Sequence, residues 1–152
     1  MKAELLRQAI RHLEVERDHL ASAALETKAG ATDGESRSES KYDTRGLEAG
    51  YLAQGQAQQA NLLEEQIAYL NQLELPEESD SPLITRGSIV VLGGDDGEEE
   101  NFFILPYGGG SELDWQGQIC TVLSAEAPLA VQLLGRGPGE SLSDGRFISE
   151  VY

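Results

Sequence analysis

The chain is poor in positive charge, cysteine, aromatics and uninterrupted apolar sequence. Its 152 residues hold 11 lysines and arginines against 27 aspartates and glutamates, a formal net charge of −16. So acidic a surface repels phosphate, which excludes a direct reader of free DNA or RNA and favours a basic protein partner. The single cysteine, Cys120, cannot close an internal disulfide, so a reducing compartment fits. Its setting in Ile119-Cys-Thr-Val-Leu123 is that of a small core side chain. No apolar run approaches the ~20 residues of a membrane span, and the charged, amphipathic N-terminus is no signal sequence. The expectation is a cytoplasmic protein without membrane association.

What the chain does have is period. Leu6, Ile10, Leu13, Leu20 and Ala24 recur by fours and threes with Arg17 interrupting, which predicts a helix over about 2–28. Ala49, Ala53, Gln56, Ala60, Leu63, Ile67 and Leu70 repeat the pattern in a second helix. One heptad stripe cannot be buried alone, so the two are expected to pack as a long antiparallel hairpin, residues 1–75. Its seam grades from leucine and isoleucine near the chain-terminal end to alanine and glutamine near the turn. The tip loop, 29–48, is small, polar and glycine-containing, and Asp43 or Thr44 is placed to cap the second helix. Long loops of this kind are functional or disordered.

Residues 76–82, Pro-Glu-Glu-Ser-Asp-Ser-Pro, have linker composition. Beyond them, 83–152 read as a small antiparallel sheet with strands at Ser88–Leu92, Asn101–Leu105, Ile119–Leu123 and Phe147–Val151. One helix near 128–134 packs on it, opened by Pro128 and closed by Gly135. The expected core is Ile89, Val91, Phe103, Leu105, Ile119, Thr121, Leu123, Leu129, Leu133, Leu134, Phe147 and Ile148. The fold class is therefore α+β.

No internal catalytic set stands out. His12 and His19 lie two turns apart on one helix and read as surface residues. Glycines 108–110 lack the lysine and helix start of a phosphate loop. The run Asp95–Glu100 lacks the spacing of a calcium loop and reads as a solvated turn. The hairpin tip differs, because Asp33, Glu35, Glu39, Asp43 and Glu48 gather at one end of a thin arm. Carboxylates presented together can help complete a Mg²⁺ shell, and an arm with few ligands of its own can act only on a metal held elsewhere. A solvated loop kept soluble by its charge is the plainer alternative.

The stretch Ala127-Pro-Leu-Ala-Val-Gln-Leu-Leu-Gly135, with the Gly137-Pro-Gly-Glu140 turn after it, resembles the C-terminal domain of the bacterial transcript-cleavage factors GreA and GreB. The resemblance extends to the layout of nearly the whole chain, and it implies an FKBP-like fold for 83–152. It implies a helical hairpin that enters the secondary channel of RNA polymerase, where tip acids act beside the catalytic Mg²⁺ on backtracked RNA. The chain would be no enzyme itself and would carry no cofactor of its own. Its Mg²⁺ would be held by polymerase, and it would meet an RNA 3′ end only inside that complex. An isomerase activity, which the FKBP-like label invites, does not fit so few aromatics.

In the family pattern a leading Asp is followed three residues later by a Glu and soon after by a Tyr. Here Asp43-Thr-Arg-Gly-Leu-Glu48-Ala-Gly-Tyr51 gives the best overlay. Asp43 and Glu48 are the implied catalytic and metal-sharing acids, and Tyr51 matches the family's tyrosine. Arg37, Lys41 and Arg45 are candidate contacts to polymerase acids. The spacing departs from the pattern, with Gly46 standing where the family has its Glu. That departure keeps open a DksA-like modulator that occupies the channel without cutting RNA. A coiled-coil adaptor unrelated to polymerase is the third alternative.

Overall fold

The computed structural model describes residues 1–32, 45–80 and 82–152. They form α1 (Lys2–Thr32), α2 (Arg45–Asn71), β1 (Ile89–Gly93), β2 (Glu99–Leu105), β3 (Glu112–Trp115), β4 (Gln118–Ser124), α3 (Pro128–Leu133) and β5 (Phe147–Val151). The chain divides into two compact units, one of Leu13–Ala68 and one of Met1–His12 with Tyr69–Tyr152. No helix among the described residues is long and apolar enough to cross a membrane.

In the helical unit, α1 and α2 run antiparallel. Arg17 meets Glu64 and Thr27 meets Gln56, so contacts climb one helix as they descend the other. Leu13, Ala24, Ala53, Ala60, Leu63 and Ile67 are buried along the expected seam. Leucine and isoleucine hold one end and alanine the other, as the sequence gradient requires. At Thr27 the seam turns polar, its hydroxyl lying 2.8 Å from Ala23 O and 3.0 Å from Gln56 Oε1. Arg17 interrupts the apolar row without leaving a buried charge. Its Nη1 reaches Glu64 at 2.6 Å and its Nε reaches Asp18 at 3.0 Å. Those hydrogen bonds, to Glu64 first, raise its pKa above the ordinary arginine value.

The other unit is built on a five-stranded sheet in the order β3-β4-β2-β1-β5. The expected α+β fold is present, and its one helix, α3, lies between the strands β4 and β5 as the sequence places it between Ile119–Leu123 and Phe147–Val151. The expectation of a wholly antiparallel sheet needs correction, because β2 and β4 run parallel, with Asn101 opposite Cys120 and Leu105 opposite Ser124. The reason is β3, a strand the sequence reading did not include. It takes the chain back along the sheet edge, and β4 then returns in the direction of β2. The reversal is a two-residue hairpin in which Gln116 has φ +56° and Gly117 φ +82°, the pair of positive angles that matches strand twist.

Both faces of the sheet are covered. On one face Val90, Leu92, Ile104 and Ile148 pack with Leu133 of α3. On the other, Ile89, Phe103, Leu105, Leu113, Cys120 and Val122 pack with Leu5 and Ala9 of α1. β1 is consequently buried at every position. The expected core holds at Ile89, Val91, Phe103, Leu105, Leu133 and Ile148. It fails in β4, where Cys120 and Val122 are buried while Ile119 is 63% exposed. It fails also at Phe147, which is 40% exposed. Thr121, Leu123, Leu129 and Leu134 are half-buried. At the end of α3, Gly135 takes φ +82° and its N–H donates to Ile84 O at 2.8 Å.

Candidate functional site

The helical unit carries the residues singled out for chemistry. Glu48 lies in the first turn of α2, where the unpaired N–H groups of a helix favour a carboxylate. Its side chain is exposed. Tyr51 follows three residues later, on the same side of the helix, and is 65% exposed. Leu47 and Leu52 flank the pair and are also exposed. Glu48 and Tyr51 thus stand together on the open surface of the first turns of α2. Asp43, Arg37 and Lys41, with Asp33, Glu35, Glu39 and the proposed cap Thr44, lie outside the described residues. Arg45 opens α2. Among the described residues no group of three His, Cys, Asp or Glu side chains is arranged to hold a metal ion.

The solved structures similar to this chain include three of Gfh1. GreA factor homolog 1 (Gfh1) of Thermus thermophilus is 21% identical over 97% of this chain and 94% of its own, with a TM-score of 0.36. A second structure of the transcription factor Gfh1 is 21% identical over 97% of this chain and 93% of its own, at 0.38. Thermus aquaticus Gfh1 is 21% identical over 96% and 92%, at 0.37. No protein-family model matches the chain, and no curated protein sequence does.

The remaining sequence candidates resolve as structural features. His12 and His19 are exposed on α1. The Asp95–Glu100 run forms the β1–β2 turn and the start of β2, and Arg146 answers its charge. That guanidinium holds Glu100 at 2.8 Å and Asp144 at 2.7 Å. The hydrogen bond from Arg146 keeps the Asp144 carboxyl below its ordinary pKa. Cys120 is fully buried, and desolvation pushes its thiol up to about 12. It is a core side chain and no nucleophile.

The sequence reading missed one arrangement. Trp115 and Tyr152, far apart in the chain, pack edge-to-face with ring centroids 5.5 Å apart. Both line a cleft with Glu99 and Glu150. The available signal was the alternation in Glu112-Leu-Asp-Trp115, which places Leu113 and Trp115 on one face of a strand.

Proposed function

We propose that this chain is a Gre-like transcription factor. It binds the secondary channel of RNA polymerase and brings Asp43 and Glu48 close to the polymerase-held Mg²⁺, promoting cleavage of backtracked RNA. What supports the reading is the heptad seam of α1 and α2. It makes a slender two-helix unit, and the segment between those helices, 33–44, carries Asp33, Glu35, Glu39 and Asp43. The Pro128–Gly135 segment, which resembles the family's, forms the helix and turn expected of it.

The chemistry divides cleanly between the two proteins. Polymerase's Mg²⁺ supplies Lewis acidity toward water and phosphate. The chain supplies hard carboxylate oxygens, the ligand type Mg²⁺ prefers. Arg37, Lys41, Arg45 and Tyr51 would contact polymerase and hold the acids in place. The net charge of −16 would speed encounter with any basic surface on that partner.

A second reading rests on a particular residue. With Gly46 in the family's Glu position, Asp43 and Glu48 are five residues apart, and the pair would occupy the channel without cutting. Incubation of backtracked elongation complexes with saturating protein separates the two. Shortened transcripts, lost in Asp43→Asn and Glu48→Gln, support cleavage. Unshortened transcripts, together with competition against a Gre factor for polymerase, support the modulator. Failure to compete at all removes both and leaves the coiled-coil adaptor.

A further inference from the structure

A row of side chains crosses the sheet on the face that carries Phe103 and Cys120. Trp115 stands opposite Gln118, and Val91 stands opposite Asn101 on one side and Glu150 on the other. Along this row lies an open cleft of about 250 Å³, lined by Trp115, Tyr152, Glu99, Glu150, Asn101 and Gln118 among others. No arginine, lysine or histidine side chain lines it. Among the described residues, neither Glu99 nor Glu150 is paired with a cationic side chain.

Side-chain hydrogen bonds tie the lining together. Asn101 is buried, and its amide nitrogen donates to Gln118 Oε1 at 3.2 Å and Ile119 O at 3.3 Å. The Tyr152 hydroxyl donates to the Glu150 carboxylate. That hydrogen bond first, then burial, then the charges of Glu150 and Glu99, hold the phenol above its ordinary pKa. Of the lining residues only Met1 carries a cation, its α-amino group, and among the described residues that group forms no ion pair with Glu99 or Glu150.

The two carboxylates outnumber the one α-amino group, so the balance of charge in the cleft is negative. Aromatic faces are negative, and the two carboxylates add full charges. An anion is repelled, and an apolar occupant would strip water from Glu99 and Glu150 without replacing it. A guanidinium answers each feature at once, since its flat face stacks on a ring while its edge forks to a carboxylate. We propose that this cleft binds an arginine side chain presented by a protein partner. The proposal stands on the sheet alone and does not depend on which partner the helical unit meets.

Trp115 is the chain's only tryptophan, so its indole N–H gives one unambiguous resonance from the cleft wall. The probe is N-acetyl-arginine amide, an in-chain arginine without flanking sequence. Its uncharged isostere N-acetyl-citrulline amide and free arginine serve as comparisons. The expected result is a saturable shift with half-saturation on the order of 1 mM. Citrulline should bind at least about ten-fold more weakly, as should the exposed double variant Glu99→Gln/Glu150→Gln. No saturable shift by about 20 mM, an equal response to citrulline, or tighter binding of free arginine overturns the proposal. The citrulline comparison uses the unaltered chain, so it decides the matter even if the double variant misfolds. Polymerase competition is a separate measurement and is unaffected by either outcome.

Discussion

Gln8 meets Asp114 through both halves of its side-chain amide. Its Nε2 donates to Asp114 O at 3.0 Å, and its Oε1 accepts from the Asp114 N–H at 2.9 Å. β3 is an edge strand, and an edge presents unpaired backbone groups. A primary amide carries a donor and an acceptor, as a peptide does, so one helical side chain takes the place of an absent neighbouring strand. Leu5 and Ala9, on the same stretch of α1, enter the sheet core beside it.

Gln8→Ala removes both bonds, and the unfolding free energy should drop by about 1–2 kcal/mol. Gln8→Glu keeps only the acceptor and sets a like charge near Asp114, so the fall should be at least as large. Amide exchange at Asp114 checks the cause. An exchange rate unchanged by either substitution would show that the contact is absent in solution.

Leu5 is 1% exposed within the cluster of Phe103, Leu105 and Leu113. Leu5→Ala should cost about 2–5 kcal/mol in denaturant unfolding, as large-to-small changes in a packed core do. Ile119→Ala, at a position 63% exposed, should stay within about 0.5 kcal/mol of the parent. The reverse ranking would mean that β4 is read in the wrong phase.

Gly87 holds φ +86°, and a Cβ there would come within 2.8 Å of Pro76 Cδ. Its N–H donates to Ile104 O at 2.7 Å, so the backbone has little freedom to move. Gly87→Ala should lower stability by about 1–2 kcal/mol from the backbone angle alone, and by more if Pro76 cannot yield. Thermal unfolding measures it, and a midpoint equal to the parent's would contradict the turn geometry.

Burial lifts the Cys120 thiol from 9.0 to about 12. A raised pKa on a thiol means folding favours the protonated form. Its contribution to stability is therefore complete below pH 9 and is lost as the pH rises toward 12, where the unfolded chain ionises first. Iodoacetamide at pH 8 should leave the folded protein unmodified and label it once denatured. Rapid labelling of the folded state would refute the assignment.

The helical pair was legible because its burial is one-sided. Ala53, Ala60, Leu63 and Ile67 keep a heptad period that survives alanine and glutamine substitutions along it. The sheet was harder for the opposite reason. With both faces covered, Ile119-Cys-Thr-Val-Leu123 has apolar side chains at both parities, and only the pairing of Cys120 with Asn101 and with Leu113 fixes the phase. β3 escaped notice because Glu112 and Asp114 make it look like loop, and its turn uses Gln116-Gly117 in place of the usual Asn-Gly. Of the candidate site, the heptad period put Glu48 and Tyr51 at the start of the second helix, where both stand exposed. The Trp115–Tyr152 cleft depends on five strands meeting in order, which no local pattern encodes.

The sheet-bearing unit is stitched from both extremities of the sequence, with Leu5 and Ile148 belonging to opposite faces of one sheet and β5 pairing directly with β1. During synthesis, the described parts of α1 and α2 within 13–68 can pair before the sheet strands are made, since their mutual contacts need no later residue. The sheet must wait for Phe147–Val151 to emerge before β1 gains its second neighbour. Until then its apolar strands remain exposed, so nascent chains stalled short of residue 147 should be the species that chaperones capture.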